Sequence, residues 1–205
     1  MTLLSFATLL SPRPDQRVTI GTLGPRGTSS EAAAALYASQ AAGTEDPVPA
    51  ISLYDTYEEA GDALRDGEVT HVIVANAYRS VSKFYMDAEL TLAGVFVMDT
   101  PPYGIAVRRG SGPVPDSPTI ASHPAPVPII TQLLPQRHAT HKVLHSTSTS
   151  AAAIAAVDGT ADLALTTLPS VRQYGLEFIS GTRPIRMVWS VFGRATSADG
   201  SGRAA

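Results

Sequence analysis

An alternation of short apolar runs with capped helical runs, beginning at Arg17, constrains this chain most. "RVTIGTLG" reads as a strand, and Thr28 with Glu31 makes a Thr-x-x-Glu capping box that opens a helix ending near Gly43. "AISLY" is a second strand, Thr56 with Glu59 repeats the box on a helix stopped at Gly67, and "VTHVIVA" is a buried third strand. A β-α-β-α-β series with short loops predicts a largely parallel sheet flanked by helices, since parallel neighbours need a crossover and a helix supplies it.

The alternation then breaks. "LTLAGVFVMD" and "YGIAVRR" are consecutive strands with no helix between them. A second series follows: "PTIAS", a helix near 125 to 134, "HKVLHS", a helix from Ser148 to Val157, "DLALTT", a short helix and "LEFI". "RMVWSVFG" closes the chain as a strand returning to the first lobe. The expected architecture is therefore α/β and two-lobed, with residues 17–95 plus 185–194 in one lobe and 96–184 in the other. A cleft lies between the lobes, where ligands of open α/β sheets collect at strand carboxyl ends. Residues 1–16, apolar "TLLSFATLL" followed by "SPRPDQR", read as an N-terminal tail or extra packing segment, and residues 195–205 as a flexible C-terminal tail.

Composition narrows the partners. A chain of 205 residues that is 44% hydrophobic can bury a real core. Its net charge of −3, without a dense Lys/Arg run, speaks against a nucleic-acid surface, and the absence of cysteine excludes disulfide and thiol chemistry. No apolar run reaches membrane-spanning length and no basic leader precedes the first one, so a cytoplasmic protein without a membrane partner is expected.

The glycine-rich turn "GTLGPRGTSS" points backbone N–H groups and a helix dipole at whatever lies in front of it, which favours an anion. Its GxxGxxG spacing fits neither the dinucleotide nor the P-loop motif, leaving a carboxylate or a small phosphate. Three strand-to-helix junctions carry hydroxyls: "GTSS" with Thr28 and Ser29, "SHP" with Ser122 and His123, and "STSTS" with Ser148 and Thr149. Each alone is explained by helix capping; three at corresponding ends suggest one shared cleft. His123 reads as a general acid or as a capping histidine. His138, His141 and His145 lack carboxylate or cysteine companions, so no metal is expected. "NAYRSVSKFYMD" mixes Arg79 and Lys83, candidates to fix a carboxylate, with Tyr78 and Tyr85, candidates for a ring wall, against the alternative of a solvated helix face. Arg108 and Arg109 pose the same choice at a strand end, and no GxSxG elbow supports a hydrolase.

The set "GPRGTSSEAA", "SHP" and "STSAAA…DG.ADLALT", in order over residues 17–194, resembles the prephenate dehydratase catalytic domain. "NAYRSVSKFYM", "DTPPYGIAVR", "SHPAP" and "WSVFG" are similar to a branch of it, the non-aromatising prephenate decarboxylases of the bacilysin and salinosporamide pathways. The resemblance implies a fold like type 2 periplasmic binding proteins, with prephenate between the lobes. Met187, Val188 and Trp189 stand where dehydratases carry Thr-Arg-Phe, and Ala77, Tyr78 and Arg79 where they carry Glu-Asn-Ser. No ACT regulatory domain is expected.

The implied activity is loss of carbon dioxide from prephenate with protonation of the ring diene and retention of the ring hydroxyl. It yields a dihydro-4-hydroxyphenylpyruvate for specialised amino acids. A dehydratase making phenylpyruvate and a non-catalytic small-anion binder remain as alternatives. Losing Thr and Arg removes donors near the hydroxyl and makes the ring wall less polar. By resemblance Thr28, Ser122, Ser148 and Thr149 hold carboxylate, and His123, then Tyr78, then Tyr103, then water rank as proton donors. No cofactor is expected, because the diene accepts the electrons, and a homodimer is expected by resemblance alone.

Overall fold

The computed structural model describes residues 3–8, 17–41, 49–134 and 140–195. Among the described residues eleven strands form two sheets. In the first lobe β2 (Thr19–Leu23), α1 (Ser29–Ala41), β3 (Ala50–Tyr54), α2 (Tyr57–Asp66) and β4 (His71–Ala75) follow the expected alternation, with β2 parallel to both β3 and β4. Both capping boxes form. The Glu31 and Glu59 N–H groups each donate to the Thr28 or Thr56 hydroxyl at 3.1 Å, and α2 stops at Gly67 with a φ of 80°. α1 stops at Ala41; Gly43 lies outside the described residues.

After the five-residue α3 (Ser82–Met86), β5 (Leu90–Asp99) runs antiparallel to β11 (Arg186–Arg194), which returns from the second lobe and also pairs with β4. This pairing continues to Arg186 opposite Asp99, so the first sheet extends past the expected boundary at residue 95. Part of the expected N-terminal tail is a strand. β1 (Leu3–Thr8) pairs antiparallel with β5, whose second edge would otherwise leave a row of backbone groups without partners. The remainder of 1–16 and residues 196–205 lie outside the described residues. The sheet order is β1-β5-β11-β4-β2-β3.

The second lobe holds β6 (Tyr103–Arg108), β7 (Thr119–Ser122), β8 (Lys142–His145), β9 (Leu163–Thr167) and β10 (Leu176–Phe178), in the order β10-β6-β9-β7-β8. The helix expected near 125 to 134 is a 3-10 turn, Val127–Ile129, leading into one turn of α4 (Ile130–Leu133). Pro124, Pro126 and Pro128 remove the amide donors that a longer helix would need. α5 (Thr149–Val157) is capped by the Ser148 hydroxyl, and α6 (Leu168–Tyr174) follows β9 directly.

Two chain segments join the lobes side by side. Thr100 N–H donates to the Ile185 carbonyl at 2.9 Å, Ile185 N–H returns to the Thr100 hydroxyl at 3.0 Å, and Tyr103 exchanges backbone bonds with Arg183. The core of the first lobe is split by its sheet. Trp189 and Val191 of β11 pack with Phe96 and α1 on one face, while Phe192 packs with Leu64 and Phe84 on the other. In the second lobe alanines of α5 pack on one cluster and Ile105, Ile120 and Leu165 form another.

Candidate active site

The glycine-rich turn proves to be a contact between lobes. The Gly27 carbonyl accepts hydrogen bonds from Thr167 and Ser170, both at 3.0 Å, and the Arg26 carbonyl accepts one from Ser150 at 2.8 Å. Gly27 N–H is taken by Glu31 Oε2 at 2.6 Å, so this amide does not face an anion. With φ at 86° and a hypothetical Cβ only 2.9 Å from Gln173 Oε1, position 27 requires glycine. The anion-facing groups lie one step later. Helix geometry leaves the N–H groups of Ser29 and Ser30 at the start of α1, and those of Thr149 and Ser150 at the start of α5, without intrahelical partners. The two helix N-termini meet one cleft of about 140 Å³ from opposite lobes.

Its lining is of two kinds, the hydroxyl-bearing helix starts Thr28, Ser29, Ser30, Ser148 and Thr149 and the apolar Leu23, Ala75, Ala77, Ile185, Met187 and Trp189. Tyr57, Tyr78, Tyr103, His123, Ala125 and Pro126 complete it. Two tyrosines brace α1: Ser29 Oγ lies 3.1 Å from the Tyr103 hydroxyl across the lobes, and Ser30 Oγ lies 2.7 Å from the Tyr57 hydroxyl. Burial raises the pKa of both phenols, that of Tyr57 to about 12, so both are neutral hydrogen-bonding groups. Residue types alone do not mark Tyr57, which opens α2; its reach to Ser30 and to Ala75 N–H at 3.3 Å is a tertiary contact.

His123 sits at the end of β7, where Pro124 and Pro126 turn the chain. Burial lowers its pKa below the usual 6.5. Its Nδ1 accepts from Ala125 N–H at 3.3 Å, an arrangement that also favours the neutral ring and leaves the proton on Nε2. Tyr78 donates to both Glu58 carboxylate oxygens at 2.8 Å, and burial followed by this bond raises its pKa, which makes it a reluctant acid.

Several expected site residues fall elsewhere. Ser122 is buried and donates to the His123 carbonyl at 2.8 Å, outside the cleft lining. Lys83 lies 3.5 Å from Glu58 on the surface, Arg79 is exposed, and Arg108 Nη1 reaches the Val157 carbonyl at 3.4 Å. None of the three lines the cleft: Arg79 lies on the turn after β4, Lys83 on the short α3 and Arg108 at the exposed end of β6. Tyr85 packs edge-on against Phe192 instead of forming a ring wall. Val188 is exposed on the opposite face of β11 from Met187 and Trp189, as the two-residue period of a strand demands. His138 lies outside the described residues. Among the described residues no three His, Asp or Glu side chains converge to hold a metal ion, and no helix is long and apolar enough to cross a membrane.

Two α/β lobes crossed twice, each aiming a helix N-terminus into a shared cleft, define the fold of prephenate dehydratases and of two-lobed periplasmic binding proteins. The chain is similar to a solved prephenate dehydratase from Arthrobacter aurescens in complex with L-Phe, with a TM-score of 0.65 and 17% identity over 88% of this chain and 61% of that one. It also matches a periplasmic substrate-binding protein from Coxiella burnetii, with a TM-score of 0.52 and 14% identity over 84% of each chain. No family model matches. Among curated proteins it is 40% identical over 184 residues to a prephenate decarboxylase of Planktothrix agardhii, covering 88% of this chain and 91% of the relative. It is 37% identical over 185 residues to one of Bacillus subtilis, covering 89% of each. The chain belongs to the prephenate decarboxylase family.

Proposed function

We propose that this chain is a carboxy-lyase that removes carbon dioxide from prephenate without aromatising the ring. The observation that carries the reading is the pairing, in one cleft, of two helix N-termini with an apolar wall built around Met187. Prephenate carries two carboxylates with opposite needs. The pyruvyl carboxylate must be held, and the N–H groups of Ser29, Ser30, Thr149 and Ser150 suit it. The ring carboxylate must leave, and a poorly solvated carboxylate loses carbon dioxide more readily, which suits the wall of Leu23, Ala75 and Met187.

When the bond to the ring carboxylate breaks, its electron pair becomes a new ring double bond. The neighbouring double bond shifts, and a proton is taken by the ring carbon beside the carbinol. Electrons released by carbon dioxide thus end in a C–H bond and the hydroxyl stays. His123 is the proton donor in this reading. Two substrate carboxylates in the cleft favour its imidazolium, countering the burial that otherwise disfavours it. Delivery to carbon rather than to the hydroxyl oxygen separates this reaction from dehydration, in which water leaves as well and the ring becomes aromatic.

The test is incubation of the purified chain with prephenate. Release of carbon dioxide with no phenylpyruvate above the enzyme-free background is expected. Phenylpyruvate in quantity would make the chain a dehydratase, and intact prephenate would make it a binder or direct it to another substrate.

A further inference from the structure

Trp189 is the one tryptophan of the chain, 1% exposed, and it forms part of the cleft wall. Its Nε1–H is buried without any hydrogen-bond partner among the described residues. An indole N–H is a donor only, and a buried donor left unpaired carries a desolvation penalty that native structures normally avoid. The ring is held firmly: it stacks with Phe96 at a centroid distance of 6.4 Å and packs in the core beneath α1. Met187, its neighbour on the same strand face, is unbranched and adaptable, so it can yield to a ligand where the stacked rings cannot.

Resting on the assignment of prephenate to this cleft, we infer that Trp189 Nε1–H donates to the ring hydroxyl oxygen of the substrate and sets specificity for it. The helix N-termini supply the pyruvyl carboxylate with its donors, and the ring carboxylate needs a wall without them. Of the two acceptors that remain, the ketone oxygen is attached beside the pyruvyl carboxylate, within reach of the same helix N-termini, and the hydroxyl oxygen lies across the ring from that arm. The choice of donor has a chemical consequence. An acid at this oxygen would convert the hydroxyl into departing water and drive aromatisation. An indole does not titrate, so it binds and orients the hydroxyl without delivering a proton.

Two probes isolate this contact: a ring-saturated prephenate analogue, which keeps both carboxylates and the hydroxyl but has no diene to accept electrons, and its counterpart lacking the hydroxyl. With ¹⁵N-tryptophan labelling the chain gives a single indole signal. Downfield movement of the indole proton with the hydroxylated analogue, and not with the deoxy one, is the expected result. Equal movement with both, or none with either when calorimetry shows that they bind, overturns the inference, whereas no binding of either would overturn the assignment of prephenate to the cleft. Trp189→Phe supplies an independent check. The wild-type chain should bind the hydroxylated analogue roughly tenfold more tightly than the deoxy one, and the variant should bind the two alike. Preserved discrimination in the variant would leave Trp189 only a packing role. Neither result depends on turnover, so failure here stays distinguishable from failure of the decarboxylase assignment.

Discussion

The cleft is lined by two kinds of element, helix starts and strand residues, with opposite chemical character. At the helix starts α1 and α5, capped by Thr28 and Ser148, lie N–H groups that the proposal assigns to the pyruvyl carboxylate, with no lysine or arginine in the lining. From β2, β4 and β11 come the apolar Leu23, Ala75, Met187 and Trp189. Helix dipoles act over about one turn, so they can hold one carboxylate while leaving the other desolvated a few ångströms away. The lesson is that placing weak, short-range donors at the helix starts alone distinguishes two carboxylates of the same molecule.

The largest expected break in this contrast comes from His123, which also lines the cleft. His123→Gln should lower turnover on the order of 10²-fold, in line with the loss of a general acid. In the unaltered enzyme the required form is the imidazolium, so activity should fall as pH rises through its pKa. Because burial depresses that pKa, the midpoint in kcat/KM should lie below 6.5, and the midpoint in kcat, reporting the complex with a dianion, should lie higher. A pH-rate profile identical in His123→Gln would remove His123 from the role.

Gly27→Ala attacks the contact that joins the two lobes beside the cleft. At a φ of 86°, with Ser170 Oγ 3.1 Å and Ser150 Oγ 3.3 Å from the added methyl, it should cost about 2 kcal/mol by urea unfolding. Met187→Thr puts a hydroxyl into the apolar wall and should lower kcat roughly tenfold with little change in KM, because solvation of the leaving carboxylate returns. Ser148→Ala removes the cap whose hydroxyl accepts from Ala151 N–H at 3.0 Å; about 1 kcal/mol of stability should go, with a severalfold rise in KM. Val188→Thr, one residue from Met187 but on the other strand face, should change kcat by less than about twofold. A large effect there would erase the distinction between the two kinds of lining.

The parts of the fold governed by local rules were legible in the sequence. The capping boxes at Thr28 and Thr56, the stop at Gly67 and the return of the last strand all appear where short-range pattern places them. Site residues followed the same division. Thr28, Ser29, Ser148 and Thr149, which line the cleft, could be named because helix starts are local, and Met187 and Trp189, which also line it, because the resemblance aligned them with the dehydratase Thr-Arg-Phe positions. Tyr57 and the Gly27 contacts with Thr167 and Ser170 were not, since each joins elements distant in the chain through a side-chain hydroxyl. Val188 was grouped with its neighbours although strand alternation sends it away. Arg79, Lys83 and Arg108 could not be placed from sequence because a turn, a five-residue helix and a strand end give too little periodicity to orient a long side chain.

The most direct measurement of the central claim is the reaction in deuterated water, followed by proton NMR and mass spectrometry of the product from prephenate. The account predicts one deuterium on the ring carbon beside the carbinol, with the hydroxyl retained and one carbon dioxide lost per turnover. An aromatic product without ring deuterium would contradict it, because the electrons from the breaking bond would then have left with water.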